Sequence, residues 1–383
     1  MKACTNDSSK KQVLLPMAPL MACTAPDISP PSSPPRLDQA FVTGSVAGPA
    51  GNIPQVSSVL TWCDRWGSIK ARWGVGRMHY AVDPGLYALG SPDDSSPVLV
   101  TANYKMSFDC LREALPGRNA WVLVLDTEGI NVWCAAGKGT FGTEELLRRI
   151  AASGLKDLVK HRDLILPQLG APGIAAHLVR KQSGFKVHYG PVLARDIVAY
   201  LDAGLRATTE MRRKAFPLRE RAVLIPIEIV AVLKPAMIII PIMLLIGGFG
   251  RTGGFVQNMT HDGILSMTAF LGAIFSGAVL TPLLLPYLPG RAFTTKGLAV
   301  GLPVAIAIIY SWGLDLRSWR DILFGGAWLL LIPALSAYLA MNFTGASTYT
   351  SLSGVRREMR WALPMEIGAG LSGFAALLVS RFF

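Results

Sequence analysis

Between Gly129 and Glu145 the chain reads GINVWCAAGKGTFGTEE, which sets a cysteine, a lysine and a tryptophan among four glycines. Three kinds of chemistry fit those residue types. Gly137, Gly139 and Gly142 satisfy the G-x-G-x-x-G spacing that lets a turn approach a dinucleotide pyrophosphate. That reading needs an acidic residue at the end of the following strand, to hold a ribose. The acid at the right distance, Asp163, begins its strand instead. A P-loop fits less well, since Val132 stands where its first glycine belongs and Gly139 where its Ser or Thr belongs. The second reading is packing, with glycines for a tight turn, Trp133 as core and Cys134 as a small buried hydrophobe. The third is a metal site. A thiolate is a strong, soft donor, and a coordinated metal removes the thiol proton outright. Lys138 and nearby backbone N–H groups favour the thiolate. Flanking glycines let a flat macrocycle come close to the backbone.

The elements around this stretch follow from hydrophobic pattern. Apolar runs that read as buried strands cover 97–102, 120–126, 163–166 and 185–189, and helical patterns cover 107–115, 143–152, 172–182 and 194–203. Thr143 is the expected N-cap of the second helix, with Glu144 and Glu145 in its first turn, where the helix dipole favours acids. Strands alternating with helices predict a Rossmann-like α/β domain with a mostly parallel sheet over residues 56–210. Ahead of it, residues 1–55 are rich in Pro, Ser, Ala and Gly and are expected to be disordered.

From residue 222 the composition changes. Apolar runs at 222–249, 263–288, 297–314, 322–343 and 362–380 are each long enough to cross a bilayer, so 222–383 reads as an all-helical transmembrane domain of about five spans. The first run holds Pro226, Pro235 and Pro241, which are expected to kink or divide it. A basic linker, 211–221, joins the two domains. Placing the α/β domain in the cytoplasm puts ten Lys and Arg in the inside segments against four outside, the bias expected of the inner (cytoplasmic) membrane. The net charge of +12 is therefore assigned to topology. No aromatic-basic stripe or zinc-finger spacing points to nucleic acid.

The five cysteines, Cys4, Cys23, Cys63, Cys110 and Cys134, form no Cys-x-x-Cys pair. An iron–sulfur cluster or zinc site is thus not legible in the chain. His161, His177 and His188 read as surface or packing residues.

The run NVWCAAGK at 131–138 resembles the signature of the HgcA family of mercury-methylating membrane corrinoid proteins. The domain around it resembles the corrinoid-binding domain of the corrinoid iron–sulfur protein of the acetyl-CoA pathway, through PVLVTANYKMSFDCLR at 97–112, LILPQLGAPGIAAHLV at 164–179 and GFKVHYGPV at 184–192. The likeness to the HgcA family continues through the membrane region, including NFTGASTYTSLSGVRREM at 342–359. The resemblance implies a base-off, cobalamin-type corrinoid with the Cys134 thiolate as lower axial ligand to cobalt. Asn131, Val132, Trp133, Ala135, Ala136, Gly137 and Lys138 would form the cap beneath the ring, and Gly139, Thr140, Phe141 and Gly142 would continue the contact surface. The Asp-x-His-x-x-Gly motif of another corrinoid class is absent, which disfavours a histidine ligand. The implied reaction is methyl transfer from methyl-Co(III) to Hg(II), forming methylmercury. A methyl-folate-type donor system would supply the methyl group, and a ferredoxin-like iron–sulfur partner of the HgcB type the electrons. Membrane lipid surrounds the spans. Two alternatives remain open on sequence: a membrane corrinoid methyl carrier with another acceptor, and a nucleotide-dependent membrane oxidoreductase.

Overall fold

The computed structural model describes residues 34–249, 253–343 and 352–382. The expected disorder over 1–33, with Cys4 and Cys23, and residues 344–351 of the 342–359 motif lie outside the described residues. The chain divides into two units, one holding residues up to 64 together with 78–207, the other holding 65–77 and the chain from 208 onward.

The first unit is a seven-stranded sheet in the order β1-β2-β3-β5-β4-β6-β7. Its strands are β1 Val42–Gly48, β2 Gly51–Val56, β3 Gly85–Leu89, β4 Val98–Ala102, β5 Ala120–Leu125, β6 Asp163–Leu166 and β7 Lys186–Tyr189. β4 pairs in parallel with β5 and β6, and β6 with β7, while the β1/β2 and β3/β5 pairs are antiparallel. β2 and β3 are parallel. The four strands expected from sequence are present within a residue of their bounds. β1 and β2 correct the expectation of disorder up to residue 55, for the folded unit begins earlier. Pro and Gly hide their pattern, but Ile53 and Val56 are buried, and that burial holds the hairpin against β3.

The helices are α1 Trp62–Arg72, α2 Lys105–Glu113, α3 Val132–Lys138, α4 Thr143–Ala152, the single turn α5 Leu155–Leu158, α6 Ala176–Ser183 and α7 Ile197–Asp202. β3, β4 and β5 are buried along their whole length, as expected of strands covered on both faces. On one face Leu86, Val100, Leu123 and Leu125 share a core with Val132 and Ala135 of α3 and with Leu146 and Ile150 of α4. On the other, Phe108 of α2 packs on Tyr87, ring centroids 5.1 Å apart. Beneath α2 a buried ion cluster joins Lys105 Nζ to Asp64 and Asp109 at 2.7 and 2.6 Å, and Arg112 to the same two carboxylates at 2.8 Å. Two helix starts differ from expectation. Gly142, not Thr143, caps α4; the Thr143 hydroxyl instead accepts the Ala175 N–H at 2.8 Å. The helix expected from Pro172 begins at Ala176, because residues Gln168–Gly173 form a 3-10 turn.

Among the described residues, the second unit contains five helices long and apolar enough to cross a membrane. These are α8 Leu218–Gly247, α9 Phe255–Leu284, α10 Phe293–Ser311, α11 Trp319–Asn342 and α12 Leu352–Val379. α8 runs as one helix with Pro226, Pro235 and Pro241 inside it, so the prolines do not divide it. Small residues bring α10 and α11 together: a Cβ on Gly297 would lie 2.6 Å from the Ala337 Cα. Close backbone approach of this kind is how helices associate in lipid, where hydrophobic burial offers no drive.

Candidate functional site

β4, β5 and β6 run parallel and end on one edge of the sheet, where open α/β folds bind ligands. β4 ends at Ala102 and is followed by Asn103, which is fully buried. Its side-chain oxygen accepts hydrogen bonds from the Thr127 and Gly129 N–H groups at 3.1 and 3.0 Å, and from the Thr127 hydroxyl at 2.7 Å. Its amide donates to Asp126 at 3.2 Å. A single side chain at the end of β4 thereby shapes the loop that leaves β5. The loop needs this support, because Glu128 takes a left-handed φ of 57° that costs a non-glycine residue of order 1–3 kcal/mol. Glu145 of α4 adds a second anchor, accepting the Asp126 N–H at 2.8 Å and Arg149 Nε at 2.7 Å.

The loop delivers Asn131, whose side chain caps α3 by accepting the Cys134 N–H at 2.9 Å. That bond satisfies one orphan donor of the helix start and fixes the backbone of Cys134 directly. Cys134 is half-buried and free. Trp133 is also half-buried, whereas Gly137, Lys138 and Gly139 are exposed. Gly139 ends α3 with φ 90°, a left-handed cap that glycine adopts without penalty. No such need explains Gly137, which sits inside the helix with nothing near its Cβ position. Glycine there weakens a helix by about 0.5–1 kcal/mol relative to alanine, so the bare backbone is retained at a cost.

Val132, Ala135 and Phe141 face inward and are buried. They brace the segment rather than extend its outer surface. Phe141 is held by the turn after β6: a Cβ on Gly173 would lie 2.0 Å from the Phe141 carbonyl oxygen, and one on Gly170 2.5 Å from its ring. Tyr189 steadies that turn by donating its hydroxyl to the Ile174 carbonyl at 2.9 Å, and burial pushes the phenol pKa up, keeping the donor proton on. Thr140 differs from its neighbours. Its hydroxyl is buried with no hydrogen-bond partner among the described residues. Beside it lies a hollow of about 820 Å³, lined by Gly139, Thr140 and Gly142 on one side and by Asp126, Glu128 and Glu145 on another. Cys134 is outside that lining.

The twelve residues from Asn131 to Gly142 thus form one structural segment, though only its second half borders the hollow. Asn103, Thr127, Gly170 and Gly173 complete the frame and carried no assigned role in the sequence. Their contacts join segments distant along the chain, which no local pattern reports.

The same geometry weighs against the dinucleotide reading. A helix, not a tight turn, separates β5 from Gly139, and Gly137 is inside it. Asp163 sits at the start of β6 and accepts from His188 Nε2 at 2.7 Å. It is therefore at the opposite end of the strand from the glycines. His161 Nε2 lies 2.9 Å from the Ser96 carbonyl oxygen and His177 is exposed, in keeping with packing and surface roles.

Residues 75–201 match the family model of the CO dehydrogenase/acetyl-CoA synthase delta subunit. The α/β unit is a relative of such subunits. Among curated proteins, the gamma subunit of the acetyl-CoA decarbonylase/synthase complex of Methanopyrus kandleri is 32% identical over 123 residues, which is 32% of this chain and 26% of the relative. The gamma subunit from Methanocaldococcus jannaschii is 38% identical over 97 residues, 25% of this chain and 20% of the relative. The chain therefore spans about a quarter of the length of the curated relatives it matches.

Proposed function

We propose that this chain is a membrane-anchored corrinoid protein that transfers a methyl group to Hg(II), with the Cys134 thiolate as lower axial ligand of the cobalt. The observation that carries the reading is the build of residues 131–142. One cysteine is fixed through its own backbone N–H, stands half-buried, and is followed by bare glycines and a buried hydroxyl that lacks a partner. The relatedness of the α/β unit supports a corrinoid, and the NVWCAAGK run supports the HgcA-type ligand and acceptor.

The residues present fit the cofactor. Gly137 and Gly139 leave room for a flat ring, and the Thr140 hydroxyl would find in the ring's amide side chains the partner it lacks. The carboxylates of Asp126 and Glu128 border the same hollow and suit amide donors. When bound, a corrinoid supplies a cobalt centre that accepts and releases methyl groups, chemistry that belongs to the cofactor. The protein contributes the ligand, its placement and its electronics. Cys134 must give up its proton to bind metal. As a thiolate it would donate electron density to the metal it holds, as thiolate ligands do at haem iron. Hg(II) is an electrophile, and a more electron-rich carbon is what it demands. Asn131 holds the Cys134 backbone, and Asn103 holds the loop that carries Asn131, so the backbone that bears the sulfur is positioned by the protein itself.

The membrane unit anchors the protein, with the α/β unit in the cytoplasm by the charge bias. A separate ferredoxin-like partner of the HgcB type supplies low-potential electrons, and a methyl-folate-type system supplies the methyl group. The test mixes purified protein with corrinoid, methyl donor, reductant and Hg(II) under anaerobic conditions. Wild type is expected to form methylmercury and Cys134→Ala to form none above background. Normal methylmercury output from Cys134→Ala refutes the ligand assignment.

A further inference from the structure

The membrane unit buries a carboxyl group that nothing in it uses. Glu366 lies near the middle of α12 and is only 8% exposed, yet among the described residues neither of its carboxylate oxygens has a hydrogen bond. Thr294 faces it, but donates its hydroxyl to Glu358 at 2.9 Å. An ionisable side chain at this depth is expensive, and such groups mark ligand or ion sites far more often than they serve packing. Glu366 opens onto a cavity of about 360 Å³, within the size range of small-molecule sites. Most of the remaining lining is apolar, including Met243, Phe270, Leu335 and Phe374, beside Ser266, Tyr338, Trp328 and Arg381.

Two further polar atoms on the same lining are also unmatched. The Trp328 indole Nε1–H and the Arg381 Nε–H are buried and without acceptors, although Arg381 is paired through Nη1 with Asp262 at 2.6 Å. Trp328 and Arg381 are 3% and 5% exposed. At 1.5 Å per residue, Arg381 lies roughly 20 Å along the chain direction of α12 from Glu366. The cavity thus carries an acceptor toward one end, donors toward the other, and hydrocarbon between them. Leaving such groups empty in an apolar setting is costly, and a bound molecule that completes them removes the cost.

We propose that this cavity binds a long-chain lipophile with a hydrogen-bond donor, a hydroxyl or amine, at the end seated on Glu366 and a carbonyl acceptor at the end near Trp328 and Arg381. The site is independent of the corrinoid assignment, and either can fail without the other.

The test uses the full chain in lipid nanodiscs with methyl 16-hydroxyhexadecanoate as probe, followed by native mass spectrometry and thermal melting. The expected result is saturable binding of one molecule, with methyl hexadecanoate, which lacks the hydroxyl, at least tenfold weaker. Hexadecanol, which lacks the carbonyl, is expected to bind severalfold more weakly, and Trp328→Phe to reduce affinity for the ester-bearing probe alone. Glu366→Leu is expected to erase the preference for the hydroxylated probe while leaving the resting melting temperature unchanged or higher, because it removes an unmatched buried carboxyl. Glu366→Gln, which keeps the shape, is expected to retain part of the preference. Unsaturable uptake, equal binding of the hydroxylated and plain esters, or a Glu366→Leu protein that melts sharply lower would each overturn the proposal. The last of these would assign the carboxyl to structure.

Discussion

The chain ahead of Cys134 and the chain behind it are built in opposite ways. From Asp126 to Asn131 the polar groups are tied down, by Asn103, Glu145 and Asn131 itself. From Gly137 to Thr140 the backbone is exposed for three residues and the fourth holds a buried hydroxyl with no partner. The first half spends its residues on position, and the second leaves space and unmet hydrogen bonding. A site prepared for a group supplied from outside has this asymmetry, whereas a segment serving only the core would be closed on both sides.

The largest effect should come from the atom between the two halves. Cys134→Ala removes a small half-buried side chain, so melting should shift little. Methyl transfer to Hg(II) should fall roughly a thousandfold, the equivalent of ~4 kcal/mol on the barrier. Equal losses of activity and fold would erase the distinction between position and chemistry.

Gly173→Ala attacks the frame from behind. Its Cβ would meet the Phe141 carbonyl oxygen, and overpacking against a backbone atom should destabilise the α/β unit by about 2–4 kcal/mol. Denaturant unfolding followed by circular dichroism reads this directly. A neutral outcome would mean that residues 139–142 are not braced by the turn after β6.

Asn103→Ala attacks the frame from the front. It leaves the Thr127 and Gly129 N–H groups without their acceptor, at about 1–3 kcal/mol for a buried group so stranded, while the Thr127 hydroxyl keeps the Ile130 carbonyl at 2.7 Å. Unfolding should show a loss near 2–3 kcal/mol on that scale. Corrinoid retention on a desalting column should fall with it, since the loop no longer aims Asn131.

The ion cluster under α2 extends the comparison to pH. Burial alone pushes the Asp64 carboxyl up, but Lys105, the Thr61 N–H and Arg112 outweigh it and hold the group well below the usual carboxylate range. A carboxyl lowered in the folded state contributes stability that is complete above its unfolded pKa of about 3.9 and is lost as pH falls below it. The melting temperature should therefore be flat near neutrality and drop below about pH 4. Asp64→Asn should show a smaller acid-induced drop than wild type.

The smallest effect belongs to the open half. Thr140→Val removes the unmatched hydroxyl at nearly constant volume, so stability should hold or rise slightly. Corrinoid affinity should weaken about fivefold, or ~1 kcal/mol, the usual net worth of one hydrogen bond. Stability that falls instead would mean that the hydroxyl serves the fold.

The strands that bear the site were legible because β4 and β5 are buried on both faces and read as unbroken apolar runs. The five spans were legible as longer apolar runs, although much of their surface is not buried inside the protein. β1 and β2 were not, since Gly44, Gly48, Pro49 and Pro54 mimic the composition of a disordered tail while Ile53 and Val56 supply the burial. The pattern predicts α4 to the residue, yet Gly142 rather than Thr143 fills its cap, because the Thr143 hydroxyl accepts from the distant Ala175 N–H. Cys134 and its glycines stood out as a local cluster. Asn103 and Gly173 did not, since their meaning lies in contacts across the sheet edge.

The central claim concerns the atom bonded to cobalt, and X-ray absorption at the cobalt edge reads that atom without reference to turnover. Full-length protein loaded anaerobically with cobalamin should show one sulfur in the metal's first coordination shell, absent from Cys134→Ala treated in the same way. A shell of nitrogen and oxygen alone in the wild-type protein would contradict the account.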